Sequence, residues 1–337
     1  MKAMLLNRLA SMSQEAMPLS LAEIPRPEPA KNEILIRIGA CGVCHTELDE
    51  IEGRTPPPTL PVVPGHEVVG RVAQIGEKAS RFTIGDRVGV GWIYSSSGSD
   101  SENIDDEFLA TGRDVNGGYA EYMTVREDYA YRIPDYFSDC EAAPLLCAGS
   151  VGFRALKLAQ LTNGEILGLT GFGGSGHLVL LTARHLYPNS PVYVFARSVE
   201  EQRFALSLGA DWAGDTGDQP PEPPNAIIDT TPAWYPVIAA LECLRPGGRL
   251  IINAIRKEDK DKALMGTIVY EDHLWKEKSL QTVANVTRAD ISNFLVVAAE
   301  AGIQPEVQIY PLEDANRALH ELRARSVRGA KVLRITD

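Results

Sequence analysis

Along the first 150 residues, apolar and polar positions alternate in short runs. The segments 1–7, 34–38, Val68–Ile75, Arg87–Val90 and 120–125 each read as a strand with one buried and one wet side. Pro25, Pro27, Pro29, Pro56, Pro57 and Pro58, with the turn residues Gly85 and Asp86, punctuate these runs. No sustained helical period runs through this part, so it is predicted to be β-rich. Near residue 150 the pattern changes. Short apolar runs at 164–170, Val192–Phe195, Ala226–Asp229 and 248–252 predict strands, and helices are predicted between them. Strand and helix in alternation predict a parallel, doubly wound sheet and an α/β chain. The tail adds a helix over 291–301 and a last strand over 330–335.

The first of the later strands runs into Gly171, Phe172, Gly173, Gly174, Ser175 and Gly176, and a helix is predicted over 177–184. Glycines at this spacing between strand and helix form the dinucleotide-binding fingerprint. Gly171 allows the tight turn, Gly173 the approach of a pyrophosphate, and Gly176 close helix packing; the helix N-terminus faces the phosphates. At the end of the next strand, NAD enzymes carry an acid for the ribose hydroxyls. Here the chain reads Ala196, Arg197, Ser198. A guanidinium suits a phosphate dianion, so Arg197 and Ser198 predict NADP(H) in preference to NAD(H). An ordinary solvated Arg is the plain alternative.

Candidate chemistry gathers after the strand that begins at Glu33. The stretch from Gly39 reads as a corner, followed by a helix that Thr46 would open, with acids in its first turn. Cys44 lies in this corner, His66 follows Gly65, and Cys147 follows two leucines. Singly, a buried Cys is usually a small hydrophobe and a His a hydrogen-bonded side chain. Together, two thiolates and an imidazole suit a tetrahedral zinc with its fourth position open, although their separation matches none of the compact zinc spacings.

Four blocks carry a resemblance. They are Gly42, Val43, Cys44, His45 and Thr46; Pro64, Gly65, His66, Glu67, Val68, Val69 and Gly70; Gly117, Gly118, Tyr119, Ala120, Glu121 and Tyr122; and Pro144, Leu145, Leu146, Cys147, Ala148 and Gly149. In this order, and over nearly the whole chain, the sequence resembles the zinc-dependent medium-chain alcohol dehydrogenase family. The resemblance implies a GroES-like catalytic domain over 1–152, a Rossmann domain over 153–288 and a return to the catalytic domain over 289–337. It implies an active cleft between the domains and a dimer or tetramer. It also implies one catalytic zinc on Cys44, His66 and Cys147, and hydride transfer between an alcohol or aldehyde and a nicotinamide. Thr46 would hydrogen-bond the substrate oxygen and relay its proton. Glu47 stands where relatives usually have Asp and would orient the imidazole. Glu67 would lie behind the metal, His45 near the pyrophosphate, and Trp92 along the substrate pocket. Asp49 occupies the place where many relatives end a proton relay with His; a first-turn helix acid is the plain alternative. Cys41 and Cys44 form a Cys-x-x-Cys, but the resemblance gives only Cys44 to the metal. Two other readings are a zinc-free quinone or enoyl reductase of the same fold, which lacks the Cys/His/Cys set, and a non-enzymatic dinucleotide-binding protein.

Composition narrows the partners. Against 33 basic residues stand 45 acids, a net charge of −12 over 337 residues, which argues against nucleic acid or an anionic membrane as partner. The absence of a leader pattern and of any 18-residue apolar run predicts a soluble cytoplasmic protein, and an unpaired count of five cysteines fits a reducing compartment. Many relatives carry four cysteines in the next loop for a second zinc. Here 94–107 holds none and is rich in Ser, Gly and acids, so it is predicted to be exposed, mobile and metal-free.

Overall fold

In the computed structural model, residues 1–324 and 329–336 are described, so positions 325–328 and 337 of the expected return segment lie outside the described residues. The chain divides into two compact units: Met1–Ala148 with Thr287–Asp337, and Gly149–Val286.

The first unit is built on a seven-stranded sheet. Its central strand, Glu33–Val43, pairs antiparallel with Val68–Ile75, with Tyr122–Arg126 and, at its far end, with Ala330–Arg334. This strand is longer than its sequence pattern suggests. The stretch read as a corner from Gly39 stays extended, because Lys331, Val332, Leu333 and Arg334 lie opposite Val43, Gly42, Cys41 and Ala40 and continue the ladder. Ile34, Leu35, Ile36 and Ile38 have no exposed surface, and each such side chain contributes about 1.5–3 kcal/mol by leaving water. The other expected strands of this unit appear as Lys2–Leu6, Val68–Ile75, Arg87–Val90 and Tyr122–Arg126. The expected tail helix spans Arg288–Glu300, and Thr287 caps it by accepting from Asp290 N at 3.1 Å.

The second unit is a six-stranded parallel sheet in the order Trp212–Gly214, Val192–Phe195, Leu167–Thr170, Ala226–Asp229, Arg249–Ile252, Ser279–Thr282. The four strands from Val192–Phe195 to Arg249–Ile252 are almost wholly buried, which explains their continuous apolar character. The order reverses at Leu167–Thr170, the crevice where such sheets bind ligands. Ser279–Thr282 is an edge strand exposed along its length. Among the described residues, no single helix is long and apolar enough to cross a membrane.

Candidate active site

The site in the first unit begins at the end of its longest strand. Val43 closes the strand, Cys44 is the extended residue before the His45–Ile51 helix, and the helix starts two residues earlier than an N-cap at Thr46 would place it. Cys44 therefore occupies the N-cap assigned to Thr46, which lies inside the first turn. The Thr46 hydroxyl is 3.6 Å from Cys44 Sγ, beside the thiol rather than capping the helix. Glu47 supplies the cap from within: its Oε2 accepts the Cys44 N–H at 2.8 Å.

The other oxygen of Glu47 lies 2.6 Å from His66 Nδ1, so the additional methylene still lets the carboxylate reach the ring. Both residues are buried. Burial alone would lower the pKa of His66, but the Glu47 carboxylate and the Cys44 thiol outweigh it and raise the value. Nδ1 is the ring nitrogen turned to Glu47, and Nε2 is left over; among the described residues neither nitrogen completes a well-aligned hydrogen bond. Gly65 makes this placement feasible: its φ is +100°, and a Cβ there would come within 2.4 Å of the Tyr119 ring.

Cys147 follows the short turn Ala143–Leu146, and its Sγ lies 4.0 Å from that of Cys44. The Cys147 thiol and the neighbouring imidazole draw the Cys44 pKa down against burial. The same thiol contact, with burial, pushes Cys147 up. Glu67 completes the group. Its carboxylate covers the Gly42 backbone so closely that a Cβ on Gly42 would overlap it, and burial followed by the Cys44 charge raises its pKa. Ligand atoms of Cys44, His66, Glu67 and Cys147 all lie within 4.8 Å of one another. Two thiolates on a tetrahedral zinc are ~3.8 Å apart at the usual Zn–S length, so the donor set fits that ion in chemistry and spacing.

The remaining candidates spread around this group. His45 is exposed on the helix. Asp49 is buried and receives Arg54 through Nε at 2.6 Å and Nη2 at 2.5 Å. Trp92 is half-buried and packs against Phe108, with ring centroids 5.2 Å apart. The 94–107 loop departs from the free, solvated stretch expected. Glu102 is buried within it, and Arg288 reaches it through Nε and through its backbone N–H at 2.7 Å. The Ser96 hydroxyl also donates to Glu102 at 2.7 Å.

In the second unit, Gly171 has φ +79° at the turn, and a Cβ on Gly176 would stand 2.6 Å from the Gly171 carbonyl. A Cβ on Gly173 would meet nothing within 4 Å, so the backbone there is open to a ligand. The helix spans Gly174–Leu186 rather than starting at His177, which places Gly174, Ser175 and Gly176 in its first turn. Arg197 is exposed. The Ser198 hydroxyl is engaged as the cap of the Val199–Ser207 helix, accepting from Glu200 N and Glu201 N.

Sequence reasoning passed over Glu50. It is buried near Glu47, and the sequence did not single it out from the other acids of the helix. The signal available was its spacing: three residues after Glu47, it shares that residue's helix face.

The alcohol dehydrogenase GroES-like domain family matches residues 30–135. A probable alcohol dehydrogenase of Mycobacterium tuberculosis is 40% identical over 329 residues, covering 94% of this chain and 93% of the relative. The chain belongs to the zinc-type medium-chain alcohol dehydrogenase family. An alcohol dehydrogenase of Geobacillus stearothermophilus is 32% identical over 336 residues, covering 95% and 96% of the two chains. Among solved structures, a cinnamyl alcohol dehydrogenase of Sorghum bicolor superposes with a TM-score of 0.82 at 26% identity, covering 99% of this chain and 97% of its own. As a member of this family the chain is an oxidoreductase of the alcohol dehydrogenase type, with a GroES-like unit and a Rossmann unit.

Proposed function

We propose that the chain is a zinc-dependent alcohol dehydrogenase or aldehyde reductase that uses NADP(H). One observation carries this reading: two thiols and an imidazole converge in a buried group, and Glu47 fixes the imidazole by the nitrogen that faces away from the other donors. A single zinc, held by Cys44, His66 and Cys147, would polarise the oxygen of an alcohol or carbonyl. The protein's own part is positional. Glu47 holds the His66 ring, and Thr46, beside the Cys44 thiol, would hydrogen-bond the substrate oxygen and relay its proton, accepting it as its own hydroxyl hydrogen passes on toward solvent. A bound nicotinamide would supply the hydride for reduction or accept it in oxidation. A relay through Asp49 would have to share a carboxylate that Arg54 already engages. Glu67 stands within reach as an alternative oxygen donor. The zinc-free reductase reading is disfavoured by the intact donor set. A purely binding role predicts dinucleotide affinity without turnover.

The cofactor preference rests on the chain after Phe195, which offers an exposed guanidinium and no acid at the end of the strand. The Gly171, Gly173 and Gly176 turn would take the pyrophosphate. A charge-assisted contact to Arg197 contributes about 1.5–3 kcal/mol, so NADP(H) should be preferred by roughly tenfold to a hundredfold. Ser198 donates to the phosphate only with the hydroxyl hydrogen that helix capping leaves free. The exposed edge strand Ser279–Thr282, in which Leu280 is about half-exposed, supports a homo-oligomer, dimer or tetramer, in which this edge pairs with its copy. Five free cysteines support a cytoplasmic location.

Zinc analysis joined to a screen of alcohols and aldehydes with both cofactors tests the whole reading. The expected result is about one zinc per chain, as one three-ligand site requires, with turnover that chelation abolishes. Undiminished turnover without metal overturns it. Replacing Arg197 by Ala should erase the NADP(H) preference in kcat/KM; a preference that survives makes Arg197 a surface residue.

A further inference from the structure

The His45–Ile51 helix buries three carboxylates, and two of them have evident partners. Glu47 meets the Cys44 N–H and His66, and Asp49 meets Arg54. Glu50 is 1% exposed, and neither of its oxygens has a hydrogen-bond partner among the described residues. Its surroundings include the Trp92 indole and the Arg113 guanidinium, with Glu47 and His66 as the other charges. The Trp92 Nε1–H is also buried without a partner. A buried donor and a buried acceptor thus lie near each other, each without a partner among the described residues, and leaving both unmatched in the interior is unfavourable. Burial, and then Glu47, push the Glu50 pKa up, but a carboxyl in either protonation state keeps an oxygen able to accept from an indole.

The rest of the Trp92 ring is already held. Phe108 packs at 57° to it, and the Arg113 guanidinium lies 5.5 Å from the Trp92 centroid and 5.3 Å from that of Phe108. Asp114 fixes that guanidinium by accepting from Nη2 at 2.7 Å and Nε at 3.1 Å. What the ring lacks is a restraint on its N–H edge.

We propose that Glu50 is a positioning residue for Trp92: its carboxyl accepts the indole N–H and, with Arg113 over the ring, fixes the aromatic surface offered to the substrate. The consequence for substrate choice rests on the proposed alcohol dehydrogenase function and on Trp92 lining its pocket, as the family resemblance implies. A flat, bulky alcohol leans on that wall, whereas a short one does not.

The test follows the indole N–H resonances of the four tryptophans in ¹⁵N-labelled protein, with Trp92→Phe identifying the signal of Trp92. Glu50→Gln, which keeps an accepting oxygen, should leave that signal close to its wild-type position, and Glu50→Leu should move it. In kinetics, Glu50→Leu should raise KM for benzyl alcohol roughly tenfold, the effect of one lost hydrogen bond, with kcat/KM for ethanol unchanged. The same change in a Trp92→Phe background should add nothing. If the Leu variant does not fold, Glu50→Asp takes its place, since one methylene less should free the indole and move its signal. An unmoved resonance in Glu50→Leu or Glu50→Asp overturns the proposal, as do kinetic effects that add across the two sites. The resonance test needs no turnover, so an enzyme inactive on every alcohol would sink the functional reading and leave this one standing.

Discussion

The His45–Ile51 helix and the 94–107 loop are the two acid-rich stretches of the first unit, and they treat their acids in opposite ways. The helix buries Glu47, Asp49 and Glu50, whereas the loop buries Glu102 alone and leaves Asp100, Asp106 and Glu107 in water. Charge density does not separate them. Partners do: Glu47 has an imidazole and a backbone N–H, Asp49 has Arg54, and Glu102 has Arg288 and a serine hydroxyl. A carboxylate leaves water when its lone pairs are matched in the interior. Of the helix acids, Glu47 is matched at the candidate metal site and Asp49 by Arg54, while Glu50 is buried with neither oxygen paired among the described residues. The loop acid is matched by a cation 186 residues away in sequence, which ties the loop to the start of the Arg288–Glu300 helix.

The contrast can be broken in graded ways. The largest effect is expected for Cys147→Ala, which removes a donor from the group the helix serves: zinc falls from about one per chain toward none, and turnover falls on the order of a thousandfold or more. Metal content and activity measured on the same sample check this, and metal-loaded, active Cys147→Ala would discard the ligand assignment. Next is Glu47→Gln. An amide accepts one hydrogen bond in place of a charge-assisted contact, so zinc affinity should drop by about 10- to 100-fold, as read by competition with a chelator. In the loop, Glu102→Ala leaves the Arg288 Nε and backbone N–H without their acceptor, while Nη2 keeps the Gly98 carbonyl, and should cost about 2 kcal/mol. A urea midpoint equal to that of the wild type would remove the clamp from the account. The smallest effect belongs to Asp106→Asn on the exposed side of the same loop, within about 0.5 kcal/mol of wild type by the same titration.

What could be read in advance follows the reach of each constraint. The glycine turn was legible because its demands are local: a positive φ at Gly171 and a Cβ-free contact at Gly176 concern residues five apart. Val68–Ile75, Arg87–Val90 and Val192–Phe195 carry their own periodicity and appear with the bounds it suggests. The Glu33–Val43 strand was read five residues short because its last four-residue pairing is supplied by Ala330–Arg334, nearly three hundred positions later. The glycines at 39 and 42, which looked like a corner, admit Asp139 and Glu67 at close range instead. Burial of Glu102 was hidden for the same reason as its partner's distance along the chain. Glu50 was hidden because nothing in a short acid-rich helix announces which side turns inward; that depends on Glu47 facing His66.

Glu47 has one further consequence. Its two oxygens are joined by a single rigid carbon, and they grip two parts of the candidate donor group: the peptide that carries Cys44 and the ring of His66. The sulfur and the nitrogen are thereby yoked like the two pans of a balance. A larger ion that pushed the imidazole outward would pull on the peptide bearing the thiol, and a shift of that peptide would swing the ring. Gauge, as much as affinity, is then written into this pair, and an ion of the wrong radius would meet resistance from a side chain that never touches it.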